Sequence, residues 1–531
     1  MHRVISSEEG ARGTLVGLAP GPRAGRDPMM ATVMDRSAAE VTPGPSVPSP
    51  TASAPSAGVL DLYRSIGAAA LVAVHRYRLA IVVEGLLIVA YLVLRTEDAT
   101  DIALVRWLVV ACAIAIVSPT SGLVVLAAVA PFNEGLALTR DIGSKSVLAA
   151  AVLVGIAVRI AIHPRRLLRL RVKTPAVASV LLASALFVVS AASLFRTWQR
   201  WGDDFVQAAA QVWLQGIGTM LVVFICAVWV ARRGEVRPIV VAIVATVAAG
   251  VISLVDFASD ATLRMGPLGW AVAGAFNPER LTGVIRSPTS TAALVMLPIC
   301  VLVAGAVLAR NRRLQIGAAI AAGPLIVAAY LTYNRAVFLA LFVLAVAITW
   351  RIRRGLGVAT LVAGLIAGAL VIPPYLAARG SLLGGPATVV PGQILIASDQ
   401  QRLTAWAAAG RMFLDQPAVG QGYRAYRQLS VQFGDPVLNA PHNEWLRFFA
   451  EGGVVNGVVA LAFVAVTGVA LLRRRGWLET GLFAAFASLC LAAAFNNPFL
   501  FNQVTIPGFL LAGAGVGLAH RAITEPVSAS A

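Results

Sequence analysis

Residues 289–313 read TSTAALVMLPICVLVAGAVLARNRR. The first 21 of them, 289–309, carry no charge, and three arginines follow at Arg310, Arg312 and Arg313. At 1.5 Å per residue such a helix is about 31 Å long, the thickness of a bilayer's hydrocarbon core. The arginines hold that end on the cytoplasmic side, because basic residues in short loops resist translocation. A membrane β-strand would need only about 10 residues and would alternate apolar with polar. This stretch does neither, so it predicts an oriented transmembrane helix.

The rest of the chain repeats the pattern. Of 531 residues, 58% are hydrophobic and 13% charged, against about 25% charged in an ordinary soluble domain. Apolar runs fall at 78–95, 102–118, 120–131, 146–163, 174–195, 210–231, 236–256, 289–309, 314–333, 335–350, 356–375, 453–472, 478–495 and 503–520. The fold class is an all-α polytopic membrane protein with about 12–14 transmembrane helices. The count is 13 rather than 14 if 102–131 is one broken element. Basic clusters at Arg165–Lys173, Arg232–Arg237, Arg310–Arg313, Arg351–Arg354 and Arg473–Arg475 all land on one side, which is then cytoplasmic. The opposite side receives 196–209, 257–288, the bend at Tyr333–Arg335, and the long segment 376–452.

This gives a domain plan. Residues 1–65, rich in Pro, Ser, Ala and Gly, read as a disordered cytoplasmic tail without a signal-peptide pattern, and Met29, Met30 or Met34 is a possible start. A helical region (66–375), an extracytoplasmic loop (376–452), C-terminal spans (453–520) and a short tail (521–531) follow. The net charge of +18 sits in clusters between apolar runs and makes no continuous basic face, which argues against nucleic acid. Cys112, Cys226, Cys300 and Cys490 lie inside apolar runs and read as small buried hydrophobes. The absence of an internal repeat removes support for an inverted-repeat transporter.

Residues 402–457 are the densest polar stretch. Turn signals precede it at Pro373–Pro374, Gly384–Gly385–Pro386 and Pro391–Gly392. Arg402–Leu414 has helical spacing, with Leu403, Trp406 and Ala407 on one face, and Asn443–Glu451 reads as a second helix. Of the arginines on the side where positive charge is unusual, three stand apart from the topology clusters: Arg280, Arg335 and Arg402. A guanidinium fork suits phosphate oxygens, so their convergence points to a lipid-linked pyrophosphate. The plainer reading pairs Arg280 with Glu279 and Arg402 with Asp399, but Arg335 has no acidic residue nearby. His442 is the one histidine of five on that side and could act as a base, although a lone loop histidine is commonly a surface or capping residue. The carboxylates Asp203, Asp204, Asp399, Asp415, Asp435, Glu444 and Glu451 look scattered, which gives no metal site.

Five short motifs in order make the chain resemble the O-antigen ligase / Wzy polymerase superfamily. They are Arg280-x-x-Gly283 with Ser287–Pro288, the pair Asn334–Arg335, Arg402-x-x-x-Trp406, Pro417-x-x-Gly420-x-Gly422–Tyr423, and His442–Leu446 with Glu451–Gly453 downstream. The resemblance spans roughly residues 265–495; Asn334 stands where the family usually has serine. It implies a GT-C-like glycosyltransferase of the cytoplasmic (inner) membrane with an extracytoplasmic active site. Such enzymes pass glycan from an undecaprenyl-pyrophosphate carrier to a glycan, lipid or protein acceptor without metal or cofactor. It also implies that Arg280, Arg335 and Arg402 hold the pyrophosphate and that His442 serves the acceptor hydroxyl, with Arg402 and His442 as the catalytic pair. Ligase and polymerase remain open. So do two other classes: a transporter or flippase for a lipid-linked or anionic solute, and a non-catalytic subunit of a polysaccharide assembly complex.

Overall fold

Apolar runs placed in lipid must satisfy their own backbone hydrogen bonds, and helices do so within one segment. A computed structural model describes residues 78–91, 101–132, 144–162, 174–259, 280–285, 287–382, 391–436, 438, 440–473 and 476–524. No strand occurs among them. Each apolar run falls on a helix. The helices are α1 (78–91), α2 (Asp101–Val117), α3 (Pro119–Val129), α4 (Ser144–Ile162), α5 (Pro175–Trp213), α6 (Thr219–Ala231), α7 (Arg237–Ala258) and α8 (Pro288–Leu308). There follow α9 (Arg312–Leu331), α10 (Arg335–Ile352), α11 (Arg354–Leu382), α12 (Pro391–Asp415), α13 (Tyr426–Leu429), α14 (Glu444–Leu472), α15 (Trp477–Ala493) and α16 (Asn502–Thr524). Seven continuous helical stretches among the described residues are long and apolar enough to cross a membrane. The protein is a polytopic membrane protein. The tail expected at 1–65 lies outside the described residues, and the fold described belongs to the unit Ala73–Ala531.

Short polar side chains start the helices. Ser287, Asn311, Asn334 and Asn443 each accept a hydrogen bond from a backbone N–H two or three residues on, satisfying donors that the first turn leaves open. Linkers of one to three residues then fold α8 to α11 into an up-and-down series. Small residues bring the helices together. Cβ atoms on Gly513 and Gly517 would sit 2.4 Å from the Phe224 carbonyl oxygen and 2.5 Å from that of Val228. The same four-residue step on both helices means that α16 and α6 run parallel in near backbone contact.

Several local expectations change. The segment 196–209 is helix, not loop: Pro175–Ala231 is one stretch of 57 residues. It reverses at Gly202 (φ 78°), so that Trp213 returns to hydrogen-bond Ser190 and meets the Phe187 ring edge-on. The two elements in 102–131 are likewise a reversal: Gly122 packs on Ala115, whereas residues seven apart in one straight helix would be about 10 Å apart. Helix α3 has 11 residues, too few to cross a bilayer, and is almost wholly buried. Pro373–Pro374, read as a turn, lie inside α11, and Pro391 begins α12 instead of marking a loop. Arg402 therefore sits mid-helix. The covered face of α12 is Ala405, Ala408, Ala409 and Met412, while Leu403 is 61% exposed. Gly384–Pro386 and Arg286 lie outside the described residues.

Candidate active site

Two glycine motifs far apart in sequence form one piece of structure. In α14 the helix breaks at Gly453 (φ 73°). The loop 417–423 closes on that break: Gln421 N–H donates to Ala450 O (3.0 Å), Gly422 N–H to Glu451 O (2.9 Å), and Val454 N–H to Pro417 O (2.7 Å). Gly420 (φ 68°) and Gly422 (φ 104°) adopt backbone that only glycine holds without strain. The helix expected at 443–451 and the span after it are two helices that meet at the non-helical backbone of Gly453.

The α12 helix is tied to the same loop. Gln421 donates from Nε2 to Met412 O (3.0 Å) and Asp415 Oδ2 (2.8 Å), and accepts from Arg200 at its Oε1. Arg411 donates to Phe433 O (2.9 Å). The Tyr426 hydroxyl donates to Asp435 Oδ2 (2.6 Å) and lies 3.1 Å from Ala405 O. Arg402 and Asp435 lie near enough to His442 for their charges to act on its ring. Burial is the main cause that lowers the His442 pKa from its usual value of 6.5; the Arg402 charge lowers it further, and Asp435 opposes both. The imidazole is therefore neutral at pH 7 and able to accept a proton.

Sequence reading missed a second group. Helix α14 places Glu444, Arg447 and Glu451 on one buried face by i, i+3, i+7 spacing. Arg447 Nη2 lies 2.7 Å from Glu444 Oε2, and Nε lies 3.9 Å from Glu451 Oε2. The guanidinium stands over the Tyr423 ring at 5.8 Å, and burial raises the pKa of that phenol. Glu451 also accepts from Tyr426 N–H (3.3 Å). The two carboxylates read as scattered are therefore neighbours, bound to an arginine. Among the described residues no three His, Cys, Asp or Glu side chains group to hold a metal ion. Beside this group a cavity of about 440 Å³ is lined by Arg424, Arg427, Arg447, Glu451 and Pro441, the residue before His442. Burial, then the neighbouring Arg427 charge, lowers the Arg424 pKa. The signal that could have revealed the group is the Glu-x-x-Arg-x-x-x-Glu spacing at 444–451.

Arg280 and Arg335 belong to a third segment. Arg280 donates from Nε (3.2 Å) and Nη2 (3.1 Å) to Thr332 O, and Leu281 N–H donates to Leu331 O (3.0 Å). This fixes Arg280 against the turn 332–334 that leads into Arg335. Asn334 caps α10 through Ala336 N–H (3.0 Å), with its Nδ2 3.4 Å from Thr289 O, so the residue in the serine position has a structural task. Arg280 is thus brought to Arg335's turn and Arg402 to His442. Among the described residues the non-glycine residues with positive φ are Tyr333 (49°), Arg424 (65°) and His442 (50°), one in each segment. Such backbone clusters where surrounding structure over-determines it, commonly at functional sites.

Residues 320–461 match the family model described as O-Antigen ligase. The match contains Arg335, Arg402 and His442; it is narrower than the resemblance at 265–495 and leaves Arg280 outside. No curated protein matches the chain closely enough to count as a relative.

Proposed function

We propose that this membrane protein, whose residues 320–461 match the O-Antigen ligase family model, transfers or polymerises glycan from an undecaprenyl-pyrophosphate carrier at the outer face of the cytoplasmic membrane. The observation that carries the reading is His442, held in left-handed backbone (φ 50°) within reach of the Arg402 charge, at the end of the bundle that also holds the Arg280–Thr332 contact. Helix alternation places Arg310–Arg313 and Arg351–Arg354 at the other end, which supports an outward site.

In this reading His442 takes the proton of the acceptor hydroxyl as its oxygen attacks the anomeric carbon of the lipid-linked glycan. The bond from that carbon to the phosphate oxygen breaks, and its electron pair leaves with the pyrophosphate. Arg280, Arg335 and Arg402 stabilise the departing charge. Pyrophosphate is already a good leaving group, so positioning and charge are what the protein must supply. Arginines provide both, and the reaction as written needs no metal or nucleotide. Ligase and polymerase differ only in the acceptor.

The test is surface-glycan profiling of a deletion strain complemented with wild type, His442→Ala or Arg335→Ala. Accumulated lipid-linked glycan, with both variants failing to rescue at normal membrane levels, is the expected result. Stalled single repeat units indicate a polymerase and stalled full chains a ligase. Full rescue by both variants would overturn the reading.

A further inference from the structure

A second cavity, of about 400 Å³, opens between α4 and the α5–α6 hairpin. Its lining is apolar and includes Ala150, Val154, Phe187, Leu214 and Val222, together with Gln215. Gln215 also lines the arginine cavity of the candidate site. It lies in the π-helical turn Leu214–Gly218, where one extra residue per turn widens the helix. The turn is held locally: Thr219 Oγ1 donates to Leu214 O (2.5 Å). The two cavities therefore abut at one side chain. One is greasy and faces the lipid side, since Val154 is 55% exposed and Leu214 56%. The other carries Arg424 and Arg427, while Arg447 on its wall is already paired with Glu444 and Glu451. Both volumes fall in the range of about 300–1,000 Å³ typical of ligand pockets.

An apolar cavity on a membrane protein could hold the tail of any lipid. What singles out the occupant here is the charge at its inner end. A headgroup that passes Gln215 meets guanidinium forks, whose geometry and charge suit phosphate oxygens. We propose that the π turn is the crossing point of a lateral portal: the chain of a phosphate- or pyrophosphate-bearing lipid lies in the α4/α5–α6 cavity, and its headgroup lies at Arg424 and Arg427. This rests on the transferase reading for the identity of the lipid, and it assigns that lipid a path which Arg280, Arg335 and Arg402 do not. Gln215, with a carbonyl oxygen and an amide, bridges the apolar and charged compartments and can bond a headgroup oxygen as it passes.

The test uses the full-length protein in nanodiscs with a diazirine-bearing polyprenyl pyrophosphate, followed by peptide mapping of the labelled sites. Label is expected within 147–157 and 211–222, displaced by undecaprenyl pyrophosphate and by neither phosphatidylglycerol nor inorganic pyrophosphate. Leu214→Trp and Val154→Trp, both at the exposed lip, are expected to cut labelling several-fold. Arg427→Gln is expected to weaken displacement by the pyrophosphate lipid relative to the uncharged polyprenol. Label outside those segments, or displacement equally by phosphatidylglycerol, overturns the portal; in the second case the cavity holds bilayer lipid. Label elsewhere in a protein that still transfers glycan sinks the portal alone. Label as expected in a protein without transfer activity sinks the enzymatic reading and leaves the lipid site standing.

Discussion

A Cβ on Gly453 would stand 2.3 Å from the Ala418 carbonyl oxygen, so α14 breaks against the 417–423 loop with no room for a side chain. Gly453 also has φ 73°. Gly453→Ala therefore meets both a clash and left-handed backbone, a cost of roughly 1–3 kcal/mol. The expected outcome is an inserted protein with low transfer activity and faster amide exchange at 418–424, with exchange in α8 unchanged. Gly410→Ala is the control. It sits in helix α12 with no atom within 4 Å of a new Cβ, and should be neutral or stabilising by up to about 1 kcal/mol. Equal exchange in both variants would contradict the docking account.

Arg447 lies buried between Glu444 and Glu451. Arg447→Met leaves two buried carboxylates without their cation, which costs about 3–5 kcal/mol. Changing both acids as well, in Glu444→Gln/Arg447→Met/Glu451→Gln, removes the charges that needed compensation. Thermal unfolding in detergent should show a large drop for the single variant and substantial recovery for the triple. A triple variant no better than the single would mean that Arg447 acts through another partner.

The membrane fold was legible because span length and charge placement are local properties. Runs such as 289–309 and the capping residues Ser287, Asn311 and Asn334 state where helices cross and where they begin. The facing of α12 was not legible. In a protein with so much apolar surface, Leu403 does not announce the covered side; alanines do, because close approach selects small residues. The reversal at Gly202 was hidden because the helical pattern continues through it. At the candidate site, Arg280, Arg335, Arg402 and His442 stood out because charge on the outer side is unusual. Arg424, Arg427 and Arg447 were passed over because each sits near an acid or another arginine in sequence, and only folding turns that neighbourhood into a cavity wall.

Arg280 uses two of its nitrogens on the Thr332 carbonyl, at the C-terminal end of α9 where partial negative charge gathers. In the proposed reading the same guanidinium also orients toward the phosphate of the substrate. Arg280→Lys keeps the charge but cannot span both tasks. Transfer in membranes should fall nearly as far for Arg280→Lys as for Arg280→Gln, with KM for the lipid-linked donor raised. A lysine variant with wild-type KM would show that point charge suffices.

His442 gives the sharpest prediction, because its neighbours push in opposite directions. The base must be neutral to accept a proton, and activity falls as pH drops through its pKa. That pKa is held below 6.5 by burial first and Arg402 second, with Asp435 raising it. In wild type the acid limb of kcat/KM should therefore lie below the ordinary histidine range. Arg402→Gln removes a lowering influence while burial remains, so the limb moves up toward 6.5 without passing it. Arg402→Lys keeps the charge and should leave the limb in place even though transfer weakens. Asp435→Asn removes the raising influence and should move the limb down. His442→Ala should abolish the limb and cost about 10²–10⁴ in rate. Acid limbs of Arg402→Gln, Asp435→Asn and His442→Ala that all coincide with wild type would show that a different group takes the acceptor proton.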